Sequence, residues 1–351
     1  MRTAYIIDFS NWCYRFRSVR VAQDPKYIPG IGPIDLSEYY GFMNAIHTIP
    51  GDAIYVVVDG TPKRQRELLP SYKANRDHEK PAVPTISHRY LLALIAREAR
   101  TLGRELHIVG APFREADEVI AYLVDDCLGL VDPSTRSNLA YAELHTPNDD
   151  PRIAEYLAGE TMYQGGCFGY YYKPFDEVII GSADSDLYQL KTHKTPVVLE
   201  PVTGRVFFDR STSGKDIDRT DNTPAAVHHL PPHCIVVYKA LFGDTSDGIP
   251  GVVPSRFGAP FRKFASTVSP AVFDALDYDL RYVNHPGRPM LSYDYKELGM
   301  PSIIDHLRSK PEDWHAYLRN LRLVELRGNA IATELFYGSD ICDYAYKTYI
   351  K

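Results

Sequence analysis

Hydrophobic positions in the first two hundred residues fall into several short runs that end in acids or glycines. Ala4 to Ile7 stops at Asp8, Ile54 to Val58 stops at Asp59-Gly60, and Leu106 to Val109 stops at Gly110. Val178 to Ile180 leads through Gly181 and Ser182 to Asp184, and a fifth run, Pro196 to Leu199, follows. Between these runs the spacing switches to a helical period, over Tyr90 to Leu102 and Ala116 to Leu128. Unbroken apolar strands alternating with helices predict an α/β fold whose mostly parallel central sheet carries helices on both faces. Ligands of such sheets gather beyond the carboxyl ends of the strands, which is where Asp8, Asp59 and Asp184 are expected.

Charge divides the chain further. Residues 60–114 hold 11 Lys/Arg and 5 Asp/Glu, a net +6. Residues 128–176 hold 3 basic and 7 acidic residues, a net −4, with Pro, Asn, Gly and Tyr throughout, and read as an inserted lobe. Residues 209–233 are rich in Ser, Thr, Asp, Asn and Pro and read as a loop, which includes His228-His229; from about 234 the pattern is mostly helical. There is no internal repeat.

Composition excludes several classes. The 351 residues are enough for roughly two domains and a sizeable core. At 44% hydrophobic and 24% charged, the composition is that of a globular protein. No run approaches the ~18 apolar residues of a membrane span, and Asp8 interrupts any signal-peptide core, so a cytoplasmic protein is expected. Cys13, Cys127, Cys167, Cys234 and Cys342 are scattered without a CxxC pair, which argues against a disulfide framework or a zinc site and fits a reducing compartment. The formal charge, 39 − 45 = −6, taken alone argues against a nucleic-acid partner.

Nine acids alter that reading. Asp8 and Asp59 end strands; Glu115, Asp117 and Glu118 open the helix at Ala116; Asp184 and Asp186 follow a strand; Asp244 and Asp247 lie in Gly243-Asp244-Thr245-Ser246-Asp247-Gly248. Glu115 and Glu118 share a helix face, as Asp244 and Asp247 would on a helix, and an extended backbone would point Asp184 and Asp186 the same way. Any one of them alone is best read as a cap or a solvated surface acid. Together, after successive strands of one sheet, they suit Mg²⁺ or Mn²⁺, which take hard oxygen ligands. Two such ions about 3.5–4 Å apart are the usual device for phosphodiester hydrolysis. Without these nine the balance is 39 − 36 = +3. The basic stretch includes Tyr72-Lys73-Ala74-Asn75-Arg76; on a helix Lys73 and Arg76 would present one cationic face to a phosphate, with Tyr72 able to stack on a base. A solvated charged helix is an equal reading of that pattern. Tyr14-Arg15 could contact phosphate likewise.

Five segments, in this order, resemble those of the 5′ nucleases: the 5′→3′ exonuclease domain of bacterial DNA polymerase I, bacteriophage 5′ exonucleases and flap endonucleases. They are Tyr5-Ile6-Ile7-Asp8 with Tyr14-Arg15; Val58-Asp59-Gly60 through Tyr72-Lys73-Ala74-Asn75-Arg76; Glu115-Ala116-Asp117-Glu118; Ser182-Ala183-Asp184-Ser185-Asp186 through Leu190; and Gly243-Asp244-Thr245-Ser246-Asp247-Gly248-Ile249-Pro250-Gly251-Val252. The resemblance implies a PIN-like α/β nuclease fold with a helical arch and a helix-three-turn-helix element. Its division of the chain is 1–127 for the first part of the core with the arch at about 60–105, 128–176 for an insertion, 177–208 for the rest of the core, and 234–351 for the helix-three-turn-helix and C-terminal helices.

It also implies two Mg²⁺, with Mn²⁺ able to substitute, and hydrolysis giving 5′-phosphate products. Asp8, Asp59, Glu115, Asp117 and Glu118 would form the tighter metal group, and Asp184, Asp186, Asp244 and Asp247 the second. Lys73 and Arg76 would stand beside the scissile phosphate, Tyr72 would stack, and Arg15 would contact phosphate. The implied partner is DNA with 5′ ends, flaps or nicks, with RNA–DNA hybrids also accepted, in replication; a polymerase or single-strand-binding protein would be a protein partner. A bacteriophage source fits a nuclease without a polymerase domain.

The sequence also departs from the family. Glu118 stands where the family usually has Asp, and Asp247-Gly248-Ile249 replaces the usual Asp-Asn-Ile. The usual glycine hairpin is replaced by Gly251-Val252-Val253-Pro254-Ser255-Arg256, which leaves the duplex-binding mode and any K⁺ site open and offers Arg256 as a phosphate contact. Glu118 and Asp184 are 66 positions apart, far beyond the family spacing, which is why 128–176 reads as an insertion. Its Gly165-to-Tyr172 aromatic run reads as a packed hairpin before a base-binding surface. The competing functional readings are an RNA-primer-removing nuclease of the same family and a catalytically silent DNA-junction binder.

Overall fold

A computed structural model describes residues 2–18, 24–74, 83–110, 114–129, 175–191, 197–200, 230–286 and 291–326. Each apolar run of the sequence becomes a strand of one sheet: β1 (Thr3–Asp8), β4 (Ala53–Val58), β5 (Glu105–Gly110), β6 (Glu177–Gly181) and β7 (Val197–Glu200). The order across the sheet is β5-β4-β1-β6-β7 and every pairing is parallel. The central mostly parallel sheet expected from the sequence is therefore present; β2 (Lys26–Ile28) and β3 (Gly32–Ile34) form a separate two-stranded antiparallel sheet.

Side chains of the sheet alternate between two cores, as the pleat requires. Ala4, Ile6, Tyr55, Val57, Val178 and Ile180 pack against α5 (Ala116–Cys127). Tyr5, Ile7, Ile54, Val56 and Ile179 pack on the other face against α1 (Phe9–Ser18), α2 (Ser37–Thr48) and α4 (His88–Thr101). Both faces are covered, which is why the strands read as continuous hydrophobic runs. α3 (Lys63–Leu68) follows β4. The stretch expected to form the arch thus includes α3 and also α4, whose Leu91, Leu92 and Ile95 lie in the sheet core.

The chain runs outward from β1 in both directions, through β4 to β5 and through β6 to β7, so the topological switch lies at the carboxyl end of β1. A second, helical core comprises α6 (Ile235–Phe242), α7 (Gly258–Thr267), α8 (Pro270–Tyr282), α9 (Ile303–Ser309) and α10 (Pro311–Val324). It closes around Phe261, Phe264, Phe273, Leu276, Tyr317 and Leu321. α10 ties the two cores together. Asn320 Nδ2 donates to the Ala240 and Pro250 carbonyls at 3.1 and 2.8 Å, and Gln189 Nε2 donates to the Val324 carbonyl at 3.1 Å. Among the described residues no helix is long and apolar enough to cross a membrane. Arg76, His228-His229 and most of the expected insertion, including Gly165 to Tyr172, lie outside the described residues.

Candidate metal-binding site

The acids meet at the switch point. Asp8 ends β1 and is 5% exposed; Asn11 N–H donates to its Oδ1 at 3.1 Å and the Ser182 hydroxyl to its Oδ2 at 3.0 Å. Asp59 follows β4 and accepts from Ala116 N–H at 2.9 Å, which joins β4 to the start of α5. Asp184 and Asp186 do not share one extended segment, contrary to the expectation from their spacing: Asp184 is extended, but Asp186 lies in a 3₁₀ turn. β6 ends at Gly181, and Asp184 caps the 3₁₀ turn Ser185–Leu190 by accepting from Asp186 N–H at 2.9 Å. A cap carboxylate satisfies an otherwise orphaned N–H, and the turn brings both acids to the same place by a different route.

Asp244 and Asp247 are not on a helix either. Gly243 ends α6 at φ 83°, and the chain folds into a tight loop closed by paired hydrogen bonds between Asp244 and Ile249, 2.9 and 2.8 Å. A Cβ on Gly243 would meet the Pro250 carbonyl carbon at 2.8 Å, so only glycine fits. The loop brings one carboxylate oxygen each of Asp186, Asp244 and Asp247 within 4.8 Å of one another.

Two lysines, Lys239 buried and Lys73 partly buried, sit among these acids. Lys73 Nζ donates to Glu115 and lies 3.8 Å from Asp247 Oδ2. Its segment is a turn rather than the expected helix, with Lys73 itself at φ 54°. That left-handed conformation is costly for a residue with a Cβ and is held by Lys73 N–H donating to the Asp247 carbonyl at 2.9 Å. Lys239, 4% exposed, donates through Nζ to Asp186 and to Asp244, the latter at 2.6 Å. Sequence reasoning missed Lys239. Its signal was present: it is the one charge in the apolar run Ile235 to Phe242, five positions before Asp244.

The expected residues do not all take their expected places. Tyr72 is 3% exposed, and its hydroxyl donates to Glu115 Oε2 at 2.8 Å and lies 3.1 Å from Asp247 Oδ2. Its ring is packed in the helical core, so it positions two carboxylates and offers no open face for stacking. Glu118 also departs from expectation. Its Oε1 pairs with Arg114 at 3.0 Å and lies 3.7 Å from Arg64, while Oε2 accepts from Glu115 N–H at 3.4 Å, so both oxygens serve the start of α5. Arg15 and Arg256 are exposed, on α1 and beside the Phe257 ring.

Electrostatics confirm the crowding. Burial, then the Asp59 and Asp184 carboxylates, push Asp8 up to about 7. Burial, then Asp184 and Asp8, raise Asp117 well above the carboxylate range. Asp186 rises to about 6 through burial, opposed by Lys239 and reinforced by Asp184. Glu115 is raised by burial against the pull of Lys73. Burial also acts on Asp244, but Lys239 and Ser246 hold it below its ordinary value. Burial works against the charge of both lysines, yet their acid partners raise them. Asp184 acts on Asp8, Asp117 and Asp186, so it bridges the two acid groups distinguished from the sequence.

These residues fit divalent cations. All the donors are hard oxygens, and carboxylates that raise one another lack the positive charge a cation supplies. Asp8, Asp59, Asp117 and Asp184 would hold one ion, and Asp186, Asp244 and Asp247 another.

No family model and no curated protein matches the chain. Among solved structures it is similar to the bacteriophage T5 flap endonuclease in a pseudo-enzyme-product complex with DNA and metal ions, at 18% identity over 99% of this chain and 98% of that one, with a TM-score of 0.46. It is similar to T5 5′-exonuclease with bound divalent zinc at the same identity, coverage and TM-score. A mutant of T5 5′-exonuclease matches at 17% identity over 100% of this chain and 98% of that one, with a TM-score of 0.45. These solved structures are 5′ nucleases, the family whose motifs the sequence resembles.

Proposed function

We propose that this chain is a divalent-metal-dependent nuclease that hydrolyses DNA phosphodiester bonds at or near 5′ ends, as an exonuclease, a 5′-flap endonuclease or both, in replication. The observation that carries the reading is the meeting of acids from five separated segments, with Lys73 and Lys239 among them, at the switch point of a parallel sheet. Two Mg²⁺ held there would lower the pKa of a bound water and neutralise charge on the scissile phosphate. The protein's own groups do the rest. Asp8 and Asp184, fixed by Asn11, Ser182 and the 3₁₀ cap, hold their oxygens in place before substrate arrives. Lys73, held beside the acids by Glu115, would donate to a phosphoryl oxygen. Lys239 stands between Asp186 and Asp244 and gives the second group a countercharge that a divalent ion would replace. Arg15, Arg76 and Arg256 supply phosphate contacts along the strand.

The test is product mapping on 5′-flap, nicked and blunt DNA, and on RNA-primed flaps, with Mg²⁺. Short products bearing 5′ phosphates are expected. Asp184→Asn combined with Asp186→Asn should abolish cleavage and leave DNA binding in place; unchanged turnover in that variant refutes the metal assignment. Cleavage confined to RNA-primed flaps would select the primer-removing reading.

A further inference from the structure

A second group of potential ligands lies among the helices on one face of the sheet, apart from the acidic site. Cys13 in the middle of α1, Glu38 in the first turn of α2 and His88 at the start of α4 bring a sulfur, a carboxylate oxygen and an imidazole nitrogen within 4.8 Å of one another. Three separate helices contribute one group each. Cys13 is fully buried, Glu38 is 1% exposed, and His88 is half-buried with its ring edge-on to Phe9 at 5.1 Å.

The state of Glu38 makes this more than proximity. Among the described residues neither of its oxygens takes part in a hydrogen bond. Arg17 Nε lies 2.8 Å from Oε1, but its N–H donates to the Cys13 carbonyl at 3.4 Å. The other oxygen, Oε2, faces His88 Nε2 at 3.7 Å. A buried carboxylate without a donor is expensive. Here one oxygen has the Arg17 charge beside it, the other faces the imidazole nitrogen, and a carboxylate oxygen lies within 4.8 Å of the thiol. Burial, then the Glu38 charge, push the Cys13 thiol well above its ordinary value, so it keeps its proton until a cation displaces it.

We propose that Cys13, Glu38 and His88 form a structural site for a borderline transition-metal dication, of which Zn²⁺ is the best chemical match. Thiolate, imidazole and carboxylate together are a zinc donor set, whereas Mg²⁺ takes oxygen ligands and would favour the acidic site. Oε2 is the ligand oxygen; Oε1 keeps Arg17 as its outer partner, the arrangement that orients metal-binding carboxylates. The half-exposed His88 provides the entry path and leaves a fourth position for water. Such an ion would clamp α1, α2 and α4 together behind the strand that ends in Asp8.

The test uses Co²⁺ as a spectroscopic probe on the full chain, with excess Mg²⁺ to fill the acidic site. A thiolate-to-cobalt charge-transfer band should appear and saturate at one equivalent. It should persist in Asp186→Asn combined with Asp244→Asn, disappear in Cys13→Ser, and need at least about tenfold more Co²⁺ in His88→Gln. Zn²⁺ should displace the band and raise Tm in wild type but not in Cys13→Ser. His88→Gln, at a half-exposed position, keeps the test decisive if Cys13→Ser does not fold. No thiolate band, or a band indifferent to Cys13→Ser and His88→Gln, overturns the site.

Discussion

The burial of Asp8 gives a stability signature of definite sign. Its carboxyl moves from an ordinary 3.8 to about 7 in the folded chain. Between those values the native state keeps a proton that the unfolded chain has lost, so unfolding releases a proton and stability falls as pH rises. At 1.36 kcal/mol per pH unit, the loss from Asp8 totals about 4 kcal/mol by pH 7.5. Asp8→Asn removes the ionisation while keeping an oxygen for Asn11 N–H and an amide that can donate to the Ser182 hydroxyl. In EDTA the variant should match wild type near pH 4 and exceed it progressively above, by up to about 4 kcal/mol. With Mg²⁺ the gap at pH 7.5 should shrink to about 1–2 kcal/mol, because wild type gains about 2.7 kcal/mol at a hundredfold excess over Kd while the variant has lost a ligand. Urea unfolding followed by circular dichroism from pH 4.5 to 7.5, with EDTA or Mg²⁺, reads both effects. A stability difference in EDTA that does not change with pH, or a wild type more stable than the variant at pH 7.5 without metal, would refute the reasoning.

Other substitutions probe the rest of the site. Lys239→Met leaves the partly buried Asp186 and Asp244 without their ammonium and should cost about 2–4 kcal/mol in EDTA, partly recovered by Mg²⁺; a loss below about 1 kcal/mol in urea unfolding would show that the pair is dispensable. Lys73→Ala should lower turnover on a 5′-flap substrate by about 10²–10³; an effect on stability alone would remove Lys73 from the chemistry. Gly181→Ala places a Cβ 2.7 Å from Trp12 Cζ2 and 2.9 Å from Tyr5 Cε1, inside the packed base of the site. It should cost about 1–3 kcal/mol, read as a lower urea midpoint with unchanged slope.

The fold was largely legible because its signals are local. A strand buried on both faces must be apolar at every position, so Ala4 to Ile7, Ile54 to Val58 and Val178 to Ile180 announced themselves, and acids just past such runs had to fall at the ends of the strands. α1 and α2 were not foreseen, and neither was the small hairpin, since their polar and aromatic residues blur any period.

The sequence by itself determined the strands, the helices at 90 and 116, and the candidate acids. Only tertiary structure decided how those acids converge and what each one faces. Asp184 with Asp186, and Asp244 with Asp247, come together through a capped 3₁₀ turn and a bridged loop rather than by helical or extended spacing, because orphaned backbone groups found their partners there. Tyr72 looked like a stacking ring but is buried, because its hydroxyl serves two carboxylates that lie 43 and 175 positions away in sequence. Glu118 looked like a ligand but is held by Arg114 and Arg64, and Lys239 became a site residue only when folding placed it between Asp186 and Asp244. Burial and charge pairing depend on neighbours distant along the chain, and no local pattern encodes which neighbour a carboxylate will meet.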